Sequence, residues 1–157
     1  MSELALYPVA DLLPHRGAML LLQAVVARAP EIIVTRVTPH PAMPFFVAGQ
    51  GMPAHAALEW MAQSCGAYIG AEAVDAGGEP RIGFLLGSRN FRCSMPWFAP
   101  DVALDISAQL IFRDGAMGVF DCILRLADIA AADVPAEILA TARLTVYQPP
   151  LDDSGPV

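Results

Sequence analysis

The chain has 157 residues, 55% of them hydrophobic and 16% charged, with a net charge of −7. That length suits one domain able to bury a real core, and so apolar a composition predicts extra buried surface, most simply an oligomer interface. Only nine residues are Lys or Arg and none are clustered, which argues against a nucleic-acid partner on electrostatic grounds.

In chain order, the opening "MSELALYPVADLLPHRG" lacks a basic start followed by an apolar core, so no signal peptide is expected and the chain reads as cytoplasmic. Within it "VADLL" is a short amphipathic stretch and "PHRG" a turn. Two strand-like runs follow, "AMLLLQAVVARA" and "EIIVTRVT", punctuated by Pro30 and ended by Pro39. Residues 39–53, "PHPAMPFFVAGQGMP", are rich in proline and glycine and suit only a loop or irregular strand.

Pro53 suits the first turn of a helix, where its missing N–H costs nothing. From there to about Glu72 the residues favour a helix that is apolar on nearly every face, hence buried. Glu59, His55 and Gln63 within it argue against a membrane span, and "VDAGGEPR" closes it. Four strand-length runs come next: "IGFLLGSRNFRC", "VALDISAQLIF", "MGVFDCILRLA" and "EILATARLTVY". Alternation is clearest at Leu104-Asp105-Ile106-Ser107 and from Ala142 to Val146, and "RDG" at 113–115 predicts a tight turn. Residues 1–148 then form a single α+β domain, one long helix wrapped by a curved antiparallel sheet, with 149–157 a disordered tail. Cys65, Cys93 and Cys122 have neither C-x-x-C nor zinc spacing and read as reduced core cysteines.

The chemistry-bearing stretch is "MPAHAALEWMAQSCGAY" at 52–68. His55 and Glu59 are spaced i, i+4 and share a helix face. His55 falls near the third helical position, where free backbone N–H groups and the helix dipole can stabilise a thioester enolate. Glu59 lies between Leu58 and Trp60, surroundings that would raise a carboxyl's pKa and suit a general acid; His55 suits proton abstraction near neutrality. A structural carboxyl and a half-buried histidine satisfied by a carbonyl are the competing interpretations. Gln63, at i+4 from Glu59, reads as a group that holds the carboxylate or a nearby backbone group. His40 sits in the proline-rich loop and could reach the helix start.

"LLPHRGAMLLL" at 12–22, "MPAHAALEWMAQSCG" at 52–66 and "GFLLGSRNFRC" followed by "PD" at 83–101 resemble, in order, motifs of the hotdog-fold 3-hydroxyacyl-acyl-carrier-protein dehydratases. More narrowly, the chain resembles the divergent ApeP-like dehydratases of aryl-polyene pathways. The resemblance implies a hotdog fold, a dimer with a continuous sheet and active sites at its interface, with Glu59 as the catalytic acid. It implies no metal or redox cofactor. Typical members carry their catalytic histidine in an H-F-P-x-x-P loop before the helix; this chain has "FFVAGQGMPA" there, so His55 is the replacement candidate for the base, with His40 or a partner chain behind it. Gly87 matches the family's strand glycine and could offer its N–H to the substrate carbonyl, or be a plain bulge glycine.

The function so implied is dehydration of 3-hydroxyacyl thioesters on acyl carrier protein to trans-2-enoyl thioesters. Phe45, Phe46, Met52, Leu86 and Trp97 would line the acyl tunnel. Arg89 and Arg92 would form a basic entrance for the phosphopantetheine arm, unless they are simply solvated strand-edge charges. The alternatives are a hotdog acyl thioesterase, whose helix carboxylate activates water, and a non-catalytic acyl-binding subunit that completes a heteromer with a second hotdog protein. Homodimer, higher oligomer and heteromer all remain open.

Overall fold

A computed structural model describes residues 4–15, 17–81, 83–127 and 137–149; most of the tail expected to be disordered, from residue 150 on, lies outside them. The strands are β1 (Ala24–Ala29), β2 (Ile32–Val37) and β3 (Met52–Pro53), then helix α1 (Ala56–Asp75), then β4 (Phe84–Cys93), β5 (Trp97–Phe98), β6 (Leu104–Asp114), β7 (Met117–Leu126) and β8 (Ile138–Tyr147). Six strands form one antiparallel sheet in the order β1-β2-β6-β7-β8-β4, and β3 pairs with β5 in a separate ribbon.

Side-chain alternation decides which face of the sheet meets the helix. Leu104, Ile106 and Ala108 of β6, Phe120, Cys122 and Leu124 of β7, and Ala142, Leu144 and Val146 of β8 are buried, as period-two patterning requires of a sheet with one wet face. They meet Ala57, Trp60, Met61, Cys65, Ala67 and Ala71 of α1, all fully buried. The helix thus carries its apolar residues inward, and Tyr68 packs edge-on to Phe120 at 5.4 Å. Two of the hydroxyls taken inside are paired: those of Thr35 and Ser64 lie 2.7 Å apart, and Ser64 also donates to the Trp60 carbonyl at 2.8 Å. Cys65 and Cys122 are buried with their sulfurs 3.7 Å apart. Burial pushes the Cys65 thiol well above its ordinary pKa, with its Cys122 neighbour adding to the effect, which keeps it neutral.

The helix begins three residues later than the sequence suggests. Pro53 belongs to β3, opposite Trp97, and the next amide, Ala54, donates to the Pro96 carbonyl at 2.9 Å. A proline's fixed φ serves a short strand as well as a first helical turn, and the tertiary ribbon wins. The C-terminus ends as its glycines predict: Gly77, at φ +83°, donates to Val74 and Gly78 donates to Ala73, the paired bonds of a left-handed helix stop. The tight turn at Gly115 also holds, joining Asp114 to Met117 across a two-residue loop.

The segment before β1, expected to be an amphipathic stretch and a turn, runs along α1 in the opposite direction. Tyr7 donates to Asp75 at 2.6 Å near the helix end, and Arg28 donates to the same carboxylate at 2.7 Å. These bonds, Arg28's first, hold the Asp75 carboxyl below the usual range. Further back, Leu12 crosses Gly70 so closely that a Cβ there would lie 2.1 Å from the Leu12 carbonyl oxygen, and Leu13 packs on Gly66. Both contacts need a helix with no side chain at those two positions. Gly70→Ala should therefore lower stability by about 1–3 kcal/mol through overpacking despite alanine's better helix propensity, read as a lower denaturant midpoint with an unchanged slope.

Candidate active site

One face of α1 presents Glu59, Ala62, Gln63, Gly66 and Ile69, the i, i+3, i+4, i+7 spacing of a single helical stripe. These residues floor a cavity of about 430 Å³. Its walls come from Leu13, Pro14 and His15 of the leading segment, from Arg81, Gly83 and Leu85 at the start of β4, and from Val146 and Gln148 at the end of β8. One carboxyl, that of Glu59, and one imidazole, that of His15, thus face a space walled by Leu13, Ala62, Ile69, Leu85 and Val146.

Gln63 fixes this geometry. It is 2% exposed, and its Oε1 accepts the Leu21 amide at 3.0 Å while Nε2 donates to the Met19 carbonyl at 2.8 Å. Those two backbone partners dictate the orientation of the amide, which leaves Nε2 to reach Glu59 Oε1 at 3.4 Å. Gln63 was expected to hold the carboxylate or a nearby backbone group; it holds two backbone groups and, at the longer 3.4 Å, the carboxylate as well. On the opposite wall, the Arg81 guanidinium donates to the Pro149 carbonyl at 2.9 Å and to Gln148 Oε1 at 3.4 Å, and Gln148 Nε2 donates back to the Arg81 carbonyl at 3.0 Å. Arg81, Ile69 and Gln148 also border a second cavity of about 480 Å³, flanked by Glu72 and Arg113, which pair at 2.6 Å.

Several sequence expectations change here. Glu59 is exposed in the isolated chain, not buried: Leu58 and Trp60 flank it in sequence, but a helix sends neighbours about 100° apart, so Trp60 takes the core while Glu59 faces out. His55 shares the helical stripe but is the exposed N-cap residue, outside the cavity lining. The free amides expected beside it are partly spent, with Ala57 donating to Ala54 and Leu58 to His55. His40 is exposed in a turn closed by Met43 N–H on its carbonyl and does not line the cavity.

None of the five expected tunnel residues lines it either. Met52 is buried in the core and Phe46 packs against that core. Phe45 is exposed and held at φ +69°, Leu86 is exposed on β4, and Trp97 is in the β3–β5 ribbon. Gly87 lies on β4 just past a bulge at Leu86, with open space where a Cβ would stand. Arg89 and Arg92 also lie on β4 but on the outer face: Arg89 is opposite Arg143 and Arg92 opposite Thr141, and Ala142, the one residue between those two β8 positions, turns inward. Among the described residues, the cation that does line the cavity is Arg81.

A family model described as ApeP-like, ApeP dehydratase, matches residues 7–155. The chain belongs to the ApeP-like dehydratase family. Among solved structures, this ApeP-like chain is similar to a chain of the dehydratase heterocomplex ApeI:P from Xenorhabdus doucetiae, with 30% identity, 92% of this chain and 93% of that one covered, and a TM-score of 0.80. The fold is shared more distantly by the Escherichia coli PaaI protein of the phenylacetic acid degradation operon, with 12% identity, 79% and 81% coverage and a TM-score of 0.57. It is shared as well by a hypothetical thioesterase with coenzyme A from Streptococcus pneumoniae, with 10% identity, 78% and 82% coverage and a TM-score of 0.58. No curated protein matches the sequence significantly. Family and architecture together make this a dehydratase of the hotdog superfamily.

Sequence reasoning on the ApeP-like chain missed His15 and Arg81. "PHRG" was visible as a turn and within the motif at 12–22, with no role for its histidine; the small residues Gly66 and Gly70, one helical turn apart, were the hint that another segment lies on that helix face. The clamp is testable. Gln63→Leu should strand the Leu21 amide and the Met19 carbonyl at a cost of about 1–3 kcal/mol, read by chemical denaturation, with hydrogen exchange at Leu21 accelerated beyond the global change.

Proposed function

We propose that this chain dehydrates 3-hydroxyacyl groups carried as thioesters on the phosphopantetheine arm of an acyl carrier protein, in fatty-acid or aryl-polyene-type synthesis. The observation that carries the proposal is the meeting of Glu59 and His15 across one largely apolar cavity in a chain of dehydratase family. The reaction moves one proton from C2 to the C3 hydroxyl and expels water, so it asks for a base on one side of the acyl chain and an acid on the other. His15 takes the C2 proton, the electrons pass into the thioester enolate and on to the C2–C3 bond, and Glu59 in its acid form gives a proton to the departing hydroxyl. Gln63 positions the carboxyl, and the hydrophobic walls suit the acyl chain and keep bulk water from quenching the enolate.

Pairing through β4 fits the same reading. This edge strand is exposed over most of its length, with Phe84 53%, Leu85 46% and Leu86 57% accessible, and natural proteins rarely leave so apolar an edge uncovered. A second hotdog chain there would extend the sheet and close the cavity over Glu59, which makes a dimer, homomeric or heteromeric, the working unit. The similar ApeI:P protein is a heterocomplex, which supports a partner subunit for this chain too. Solvent access to Glu59 favours one competing reaction, hydrolysis of the thioester by a water that the carboxylate activates.

Intact-protein mass spectrometry of a 3-hydroxyacyl carrier protein separates these outcomes. We expect loss of one water from the loaded carrier, slowed about 10²–10⁴-fold by Glu59→Gln and by His15→Ala, while His55→Ala stays within a few-fold of the natural protein. Release of the free acid would establish hydrolysis instead. Absence of both reactions, with the chain alone and with a partner hotdog chain added, would leave it an acyl-binding subunit.

A further inference from the structure

The outer face of the sheet carries charges in rows, because residues in register on neighbouring antiparallel strands stand side by side. One row runs Arg36 on β2, Asp105 on β6 and Arg125 on β7, with Arg36 donating to Asp105 at 2.8 and 3.1 Å. Its signs alternate. A second row runs Gln109 on β6, Asp121 on β7, Arg143 on β8 and Arg89 on β4. Arg143 takes the Asp121 carboxylate with both ends of its guanidinium, at 2.8 and 3.3 Å. Arg89 therefore faces another arginine on its inner side and, beyond it, the open edge of the sheet.

A bulge doubles the charge at that edge. The register passes from Arg89↔Arg143 to Arg92↔Thr141, which takes one residue more on β4 than on β8, and Asn90 absorbs it at φ +58°. Three residues apart on a regular strand would point to opposite faces; here Arg89 and Arg92 share the outer one. Among the described residues, no carboxylate lies within ion-pair distance of either guanidinium. The chain has no acidic residue between Glu79 and Asp101. A second copy pairing edge to edge would add two more arginines and, one strand further in, another Arg143.

We propose that Arg89 and Arg92 select the partner of β4: a different polypeptide whose exposed sheet edge carries carboxylates opposite them, in preference to a second copy of this chain. Like charges set across paired strands disfavour the homomer, opposite charges favour the heteromer, and the backbone N–H and C=O groups of β4 are common to both. This rests on edge pairing through β4 and not on the reaction proposed above.

The partner can be imitated with the chain itself. In native mass spectrometry, an equimolar mixture of the natural chain and its R89E/R92E copy, which differ in mass, should at low ionic strength form the mixed dimer about 5–10-fold above its statistical share. The excess should collapse at high salt, where the Debye length falls to about 3 Å at 1 M. An R89Q/R92Q copy should self-associate several-fold more tightly than the natural chain. Dimers in statistical proportion at low salt, or a natural homodimer as tight as the neutral copy, would overturn charge selection while leaving β4 pairing intact. Absence of dimer in every mixture, the neutral copy included, would overturn both.

Discussion

The candidate site depends on how the leading segment is laid along α1. The described residues between 7 and 21 run antiparallel to the helix and are tied to it at Asp75, Gly70, Gly66 and Gln63 in turn. The two middle ties are steric, possible because glycine removes the side chains that would hold the segment off. The outer two are hydrogen bonds, one at the helix end and one buried. Between the steric contacts and the Gln63 clamp the chain passes His15 along the wall that faces Glu59. Without that course the cavity beside the carboxyl would have no imidazole in its wall.

Gln63 links the packing of the leading segment to the Glu59 carboxyl. A buried amide must find partners for its carbonyl and its NH₂, and here both come from the backbone of the leading segment. Glu59 receives a longer third contact from the same Nε2. The orientation of the Glu59 carboxyl is thus a by-product of satisfying a buried polar group, and the cost of misplacing the one is felt by the other.

The two faces of the sheet divide the work. The inner face is apolar and holds the helix; the outer face keeps its charges in register, with Arg36 paired to Asp105 and Arg143 to Asp121. Two irregularities in β4, at Leu86 and Asn90, keep the alternation from being regular. They carry Leu85 inward toward the cavity and set Arg89 and Arg92 outward together. The strand that helps to wall the site is also the open edge of the sheet.

Much of this was legible from residues alone. Leu104, Ile106 and Ala108 alternate with polar neighbours and become the inner face of β6; the all-round apolar run from Ala56 becomes the buried helix; glycines at 77 and 115 stop the helix and turn the hairpin. These are local consequences of side-chain period and backbone freedom, which the order of residues contains. Other features depended on distant partners. Pro53 was as good a helix start as a strand residue until Trp97 paired with it, and Glu59 looked buried because sequence neighbours are not spatial neighbours on a helix. Above all, the spacing of His55 and Glu59 measured proximity along one helix only. The imidazole that shares the cavity is His15, brought there from another segment by contacts such as Met19 with Gln63, 44 residues apart. Composition, period and motif by themselves determined the helix, the sheet and the carboxyl; the tertiary structure decided which histidine shares its cavity, because contacts between remote segments are set by packing and hydrogen-bond satisfaction across the core, and no local spacing encodes them.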